Sequence, residues 1–213
     1  MKKLYTSAAV AALLIASTSV VKATEVVDTK PAVKEVIQAP VENTAPQTVV
    51  QAVEAAKETH EAVKEAVQTA KTEGVSTEGS TKAEEHTMKA EEHLVKAEEK
   101  AKEAVQATEP VQKEQAKTEA VAELHAATTH DQAAQVVVEA PKSPEAQTLV
   151  TKAEEATKTV EAVKEAPTPE VAKTKLNKVK KDSSYYMAKA MKKAEEEKAK
   201  RKNKRAAKMS TGN

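Results

Sequence analysis

From residue 82 the chain repeats every seven positions: Lys82-Ala83-Glu84-Glu85-His86-Thr87-Met88, then Lys89-Ala90-Glu91-Glu92-His93-Leu94-Val95, then Lys96-Ala97-Glu98-Glu99-Lys100-Ala101-Lys102. With Thr87, Leu94 and Ala101 at heptad position a, Ala83, Ala90, Ala97 and Ala104 fall at d. Glu84, Glu91 and Glu98 then occupy e, and His86, His93 and Lys100 occupy g. The pattern predicts a weak coiled-coil seam over 82–102. Alanine buries little area, so the seam predicts a solitary, fluctuating helix rather than a stable dimer. Glu85 to Lys89, Glu92 to Lys96 and Glu98 to Lys102 are i,i+4 pairs in the favourable order, each worth a few tenths of a kcal/mol.

A second repeat has an offset of 100 residues: Gln47-Thr48-Val49-Val50 matches Gln147-Thr148-Leu149-Val150, and Glu61 to Ala66 recurs unchanged as Glu161 to Ala166. Both copies set Val50/Val53 or Val150/Ala153, then Ala56 or Ala156, then Val63 or Val163, on one side of a helix. Prolines punctuate the chain at 31, 40, 46, 110, 141, 144, 167 and 169. Each disfavours helix at the residue before it and so marks a boundary. The stretches between are rich in Ala, Glu, Lys and Gln, which are strong helix formers. The resulting organisation is a Pro-containing linker at 24–46, a first helical repeat at 47–73, a flexible Gly-containing hinge at 74–80 and the heptad helix at 81–109. It continues with a helical segment at 110–140, a Pro linker at 141–146, the second repeat copy at 147–166, a linker at 167–181 and a basic helical tail at 182–213.

Composition then sets the expectation for compactness. Of 213 residues 41 are alanine, whereas Leu, Ile, Val and Phe together make 16%. Burying alanines and a few valines does not offset an ordering cost of roughly 1 to 2 kcal/mol per residue. The expected fold class is therefore mostly disordered and otherwise all-α: an extended chain of marginal helices with no compact core. The first 23 residues change the picture of location. Lys2 and Lys3 precede the apolar run Ala8 to Ala16, and Val21 and Ala23 occupy the two key positions of a cleavage site. This is the pattern of a bacterial-type signal peptide at 1–23, and it predicts an exported, periplasmic or secreted protein. The chain has no Cys, which excludes disulfides and thiolate metal ligands.

Charge is segregated. Residues 171–213 hold 15 Lys+Arg against 4 Asp+Glu, while residues 24–170 hold 16 against 29. In the tail, Tyr186, Met187, Ala190, Met191 and Ala194 fall on one helical stripe, followed by the run Lys200-Arg201-Lys202-Asn203-Lys204-Arg205, expected to be solvated and mobile. Lys189, Lys192, Lys193, Lys200, Arg201, Lys202, Lys204 and Arg205 are the candidate contacts to an anionic surface, with Tyr186, Met187 and Met191 as an apolar stripe beside them. That combination suits an anionic membrane or envelope polymer. Nucleic acid fits less well, because lysine outnumbers arginine and aromatic residues are few. Weak self-association through the opposite charges of body and tail is the third partner class.

Catalytic motifs are missing. Glycines at 74, 79 and 212 cannot build a phosphate-cradling loop or a nucleophile elbow, and no cofactor or metal ligand set is indicated. His86 and His93 stand seven apart, about 10 Å along a helix, too far to share one ion; His125 and His130 point about 140° apart. All five histidines are expected to be solvated surface imidazoles, and acidification to raise the net charge. The function expected is that of a non-enzymatic extended spacer or envelope interaction protein acting through its cationic tail. The Ala/Glu/Lys/Thr/Gln-rich, Gly-poor helices resemble in composition the late-embryogenesis-abundant polyampholytes and the spacer arms of TolA-like envelope proteins. The first resemblance implies a hydrophilic stress protectant.

Overall fold

Five α-helices account for nearly all of the computed structural model, which describes residues 46–210: α1 (Pro46–Thr72), α2 (Thr77–Gln106), α3 (Pro110–Glu139), α4 (Pro144–Lys164) and α5 (Pro169–Ser210). The signal peptide and most of the first linker lie outside the described residues. Four helices open on a proline, whose missing N–H would be unpaired in the first turn anyway. Ser76 caps α2 by accepting from Gly79 N at 3.1 Å, and Ser143 caps α4 by accepting from Ala146 N at 3.0 Å. α1 ends where Gly74 takes φ 77°, a left-handed conformation that lets Val75 N–H reach back to Ala70 O. α5 begins at Pro169, so helix runs through most of the stretch read as the 167–181 linker.

α3 is the centre. α1 packs on α2 and α3, α4 packs on α3 and α5, and α3 touches all four others. Twenty of the thirty residues of α3 are buried. On one side Ala120, Leu124 and Ala127 meet Val49 and Val53 of α1 and Leu94, Ala97 and Ala101 of α2. On the other, Ala122 and Ala126 meet Ala156, Val160 and Val163 of α4 and Ala172 and Leu176 of α5. A third cluster closes one end with Val63, Val67 and Ala70 of α1, Ala83 of α2 and Ala134 and Val138 of α3. The two copies of the 100-residue repeat become α1 and α4, and equivalent positions (Val49 and Leu149, Val53 and Ala153, Val63 and Val163) are all buried.

The expectation of a mostly disordered chain without a compact core is overturned: residues 46–210 form packed helices with continuous buried clusters. Two physical reasons account for it. First, the alanine seam does not wait for a second chain. Ala83, Ala90, Ala97 and Ala104 are at most 1% exposed inside the bundle, because small side chains allow close helix approach and hence dense dispersion contacts. Second, polar residues assigned to the surface are buried and paired, so the interior is larger than the aliphatic count implied.

Gly79 illustrates the close approach. It is not part of a hinge but sits in the first turn of α2, where an added Cβ would lie 3.1 Å from Val137 O and 3.4 Å from Pro141 Cγ. The carbonyl is backbone and the ring is stiff, so neither yields easily. Gly79→Val is expected to lower stability by about 1–3 kcal/mol through overpacking, measured by urea denaturation. The parent protein should be strongly helical in dilute neutral buffer without co-solvent and melt in one cooperative transition; circular dichroism checks this.

Candidate functional site

α3 carries ionisable and hydroxylic side chains into the interior, and each outer helix supplies partners for them. All five histidines are buried, which overturns the expectation of surface imidazoles. From α1, His60 Nδ1 lies 2.7 Å from Asp131 Oδ1. From α2, His86 Nδ1 lies 2.8 Å from His130 Nδ1, and His93 Nδ1 lies 2.6 Å from Glu123 Oε2. From α4, Thr157 Oγ1 stands 3.0 Å from His130 Nε2 and 3.1 Å from His93 Nε2, while Lys164 reaches Glu123 Oε1 at 3.0 Å. From α5, Ser183 Oγ is 3.0 Å from His125 Nε2.

The α2 partners come from the g row of the heptads. His86, His93 and Lys100 face His130, Glu123 and Glu119, so the two helices run antiparallel with their polar rows in register. His130 contacts both α2 imidazoles, with ring centroids 5.1 Å from His86 and 5.7 Å from His93. The seven-residue spacing that separates His86 and His93 is thus bridged from the neighbouring helix. His125 and His130 do point apart: His125 meets α5 and His130 meets α2 and α4.

One assignment of protons satisfies the central chain. The Glu123 carboxylate can only accept, so His93 Nδ1–H donates to it, and in the neutral ring His93 Nε2 is left as an acceptor. Thr157 O–H donates to that nitrogen in preference to Ala153 O, which is 3.3 Å away. The Thr157 oxygen then accepts from His130 Nε2–H, which leaves His130 Nδ1 to accept from His86 Nδ1–H. Five side chains from three helices thereby share a connected, neutral-imidazole network that ends on an ion pair between Glu123 and Lys164.

Electrostatics agree with neutral rings. Burial pushes His130 down to about 3, with His86 and His93 adding to the effect. Burial also pushes His125 down to about 3, with Lys180 adding to it, and lowers His86. Burial alone would raise Glu123, but His93 and Lys164 outweigh it and hold the carboxyl below its ordinary value. Asp131 is raised, because burial outweighs the hydrogen bond from His60. Two ring nitrogens, His60 Nε2 and His125 Nδ1, are buried with no hydrogen-bond partner.

What this arrangement can do is bounded by access. Ser183 and His125 have the spacing of a nucleophile and base, but Ser183 is 0% exposed and shares its hydroxyl with Val179 O at 2.8 Å. Among the described residues no group of three or more His, Asp or Glu side chains is placed to hold a metal ion.

The sequence-predicted surface residues lie on α5. Lys189, Lys192, Lys200, Lys202, Lys204 and Arg205 are exposed, and Lys193 and Arg201 are half-buried. The run expected to be mobile is helical through Ser210. Arg201 bridges the body: Nη2 lies 3.0 Å from Glu139 of α3 and 3.3 Å from Glu73, and Arg205 adds a contact to Glu73 at 3.7 Å. Of the apolar stripe, Met187, Ala190 and Ala194 are buried against the bundle, whereas Tyr186 and Met191 are half-buried; Lys152 of α4 sits over the Tyr186 ring. Among the described residues no helix is long and apolar enough to cross a membrane.

The chain matches no known protein family, no curated protein and no solved structure.

Neutral buried imidazoles make stability depend on pH. A histidine near 6.5 when unfolded and depressed when folded leaves stability intact above 6.5 and erodes it as pH falls toward the folded value. His125 and His130, each about 3 when folded, should each remove about 2 kcal/mol by pH 5. Glu123, held low, adds to the loss only once pH falls below the ordinary carboxyl range, whereas Asp131, held high, opposes the loss above that range, as it takes its proton in the folded state first. Urea midpoints should therefore drop between pH 7 and pH 5 rather than hold level. Thr157→Val should cost about 1–3 kcal/mol at pH 7, since it strands His93 Nε2 and His130 Nε2.

Proposed function

We propose that the protein is an exported, non-enzymatic helical bundle that contacts an anionic membrane or envelope polymer through the basic face of α5. The observation that supports the reading most is the arrangement of charge on one rigid helix. Arg201 is fixed to the body by Glu139 and Glu73, while Lys200, Lys202, Lys204 and Arg205 around it are exposed. A helix anchored in this way presents its cations without the ordering cost that a mobile tail would incur on binding. The acidic body favours contact at this face only, since the same target repels the rest. The buried histidines support a scaffold role rather than chemistry, because no substrate reaches Ser183 or His125.

The experiment is retention on anionic vesicles. Replacing Lys200, Lys202, Lys204 and Arg205 together with Gln gives up the 3.7 Å contact of Arg205 to Glu73 but keeps the Arg201 anchor and the apolar contacts of α5, unlike deletion of the helix. With each cation worth about 1 kcal/mol at an anionic surface, binding in low salt should fall roughly 100-fold or more, and wild-type binding should weaken as salt rises. Equal binding by the parent and the fourfold variant would contradict the assignment. Binding of duplex DNA that exceeds binding to vesicles at matched salt would favour nucleic acid instead.

A further inference from the structure

α5 packs against α3 and α4. Its apolar anchors are Ala172 and Leu176 near its start and Met187, Ala190 and Ala194 further on. Its polar anchors run along its length: Lys173 to Glu114, Lys175 to Ala162 O, Ser183 to His125, Asp182 to Lys152, and Arg201 to Glu139 and Glu73, with longer contacts from Lys189, Lys198 and Arg205. It joins α4 through the short segment Glu165 to Thr168, which contains Pro167 and forms a short tether. The middle anchor is the weak one. His125 Nε2 is engaged by Ser183, but His125 Nδ1 is buried with no partner. An added proton would sit on a nitrogen with no acceptor.

The charged groups around that position offer no relief. The cation acting on His125 from α5 is Lys180, itself half-buried and lowered by that burial. Asp182 is exposed and directed to Lys152 of α4 at 3.4 Å. Glu123 on α3 is engaged by His93 of α2 and Lys164 of α4, and Glu154 of α4 by Lys89 of α2. No carboxylate engages either ring nitrogen of His125: Nε2 meets Ser183 and Nδ1 has no partner.

We propose that α5 is an acid-released arm: protonation of His125 detaches α5 from α3 and turns its inner stripe of Tyr186, Met187, Ala190, Met191 and Ala194 onto an anionic bilayer. The occupant is set by what flanks the stripe. Lys189, Lys192 and Lys193 lie beside it and the cationic run follows it, the pattern of an interfacial amphipathic helix. Release also exposes Lys180, which is half-buried in the docked helix, beside the other cations of the arm. α1 to α4 keep the network on His130, whose opening would require separating α2 from α3.

This inference rests on the reading of α5 as the contact element, and the test separates the two. Full-length mature protein is titrated with vesicles of equal phosphatidylglycerol and phosphatidylcholine at pH 7.5 and pH 5.5. Nitroxide labels at Lys158→Cys and Lys192→Cys report the α4 to α5 distance, and labels at Glu58→Cys and Glu92→Cys report α1 to α2. One proton taken up on opening, at an open-state value near 6.5, gives ~10-fold tighter binding at pH 5.5. The α4 to α5 distance should lengthen there while the α1 to α2 distance holds. His125→Phe, or His125→Gln should the first variant misfold, is expected to abolish the pH gain and keep binding at its pH 7.5 level. A gain that survives in both His125 variants, or an α1 to α2 distance that broadens together with α4 to α5, overturns the arm. If wild type shows no gain but the fourfold Gln variant still loses binding, the arm falls and the contact reading stands; if the fourfold variant binds undiminished, both fall.

Discussion

A helix enclosed on nearly every side has nowhere to put its polar side chains except against its neighbours, and α3 is such a helix. Glu123, His125, His130 and Asp131 would each cost more unpaired than an average hydrogen bond returns. Their partners come from α1, α2, α4 and α5, so the position of every outer helix is fixed by the need to satisfy the central one. Alanine provides the complementary condition. It lets the helices approach closely enough for short side chains such as Ser183 and Thr157 to reach across.

The same constraint explains why the bundle is specific although its apolar side chains are small. Alanine faces slide past each other with little penalty, and a core of Ala and Val alone would tolerate several registers. The match of His86, His93 and Lys100 to His130, Glu123 and Glu119 allows one register between α2 and α3, because a shift of one turn would strand buried imidazoles. Surface pairs such as Lys82 to Glu78 or Lys64 to Glu61 add little by comparison.

Much of the secondary structure was legible in the chain. Prolines 46, 110, 144 and 169 do open helices, the heptads lie in α2, and the 100-residue repeat separates into α1 and α4 with equivalent apolar positions buried in both copies. Compactness was not legible from composition, because a count of Leu, Ile, Val and Phe assigns no interior role to Ala83, Thr118 or His130, all of them 0% exposed. The histidine network carried one signal that spacing analysis within single helices misses. The g row of α2 places His86 and His93 beside the alanine seam, and α3 carries His130 and Glu123 at the same separation in the opposite sense. Reading the rows of consecutive helices against each other, instead of each helix alone, pairs them. Ser183 offered no such cue, since its partner lies 58 residues away on a different face of α3.

The account stands on buried, neutral imidazoles with fixed protons, and nitrogen-15 NMR of the histidine rings observes them directly. At pH 7.5 His86 and His93 should appear as the Nδ1–H tautomer and His130 as the Nε2–H tautomer, each in slow exchange with water. The His125 and His130 signals should stay those of neutral rings down to pH 5.5 wherever the helices remain docked. Averaged His86, His125 and His130 rings that titrate together near 6.5, as free side chains do, would contradict the network and the packed bundle with it.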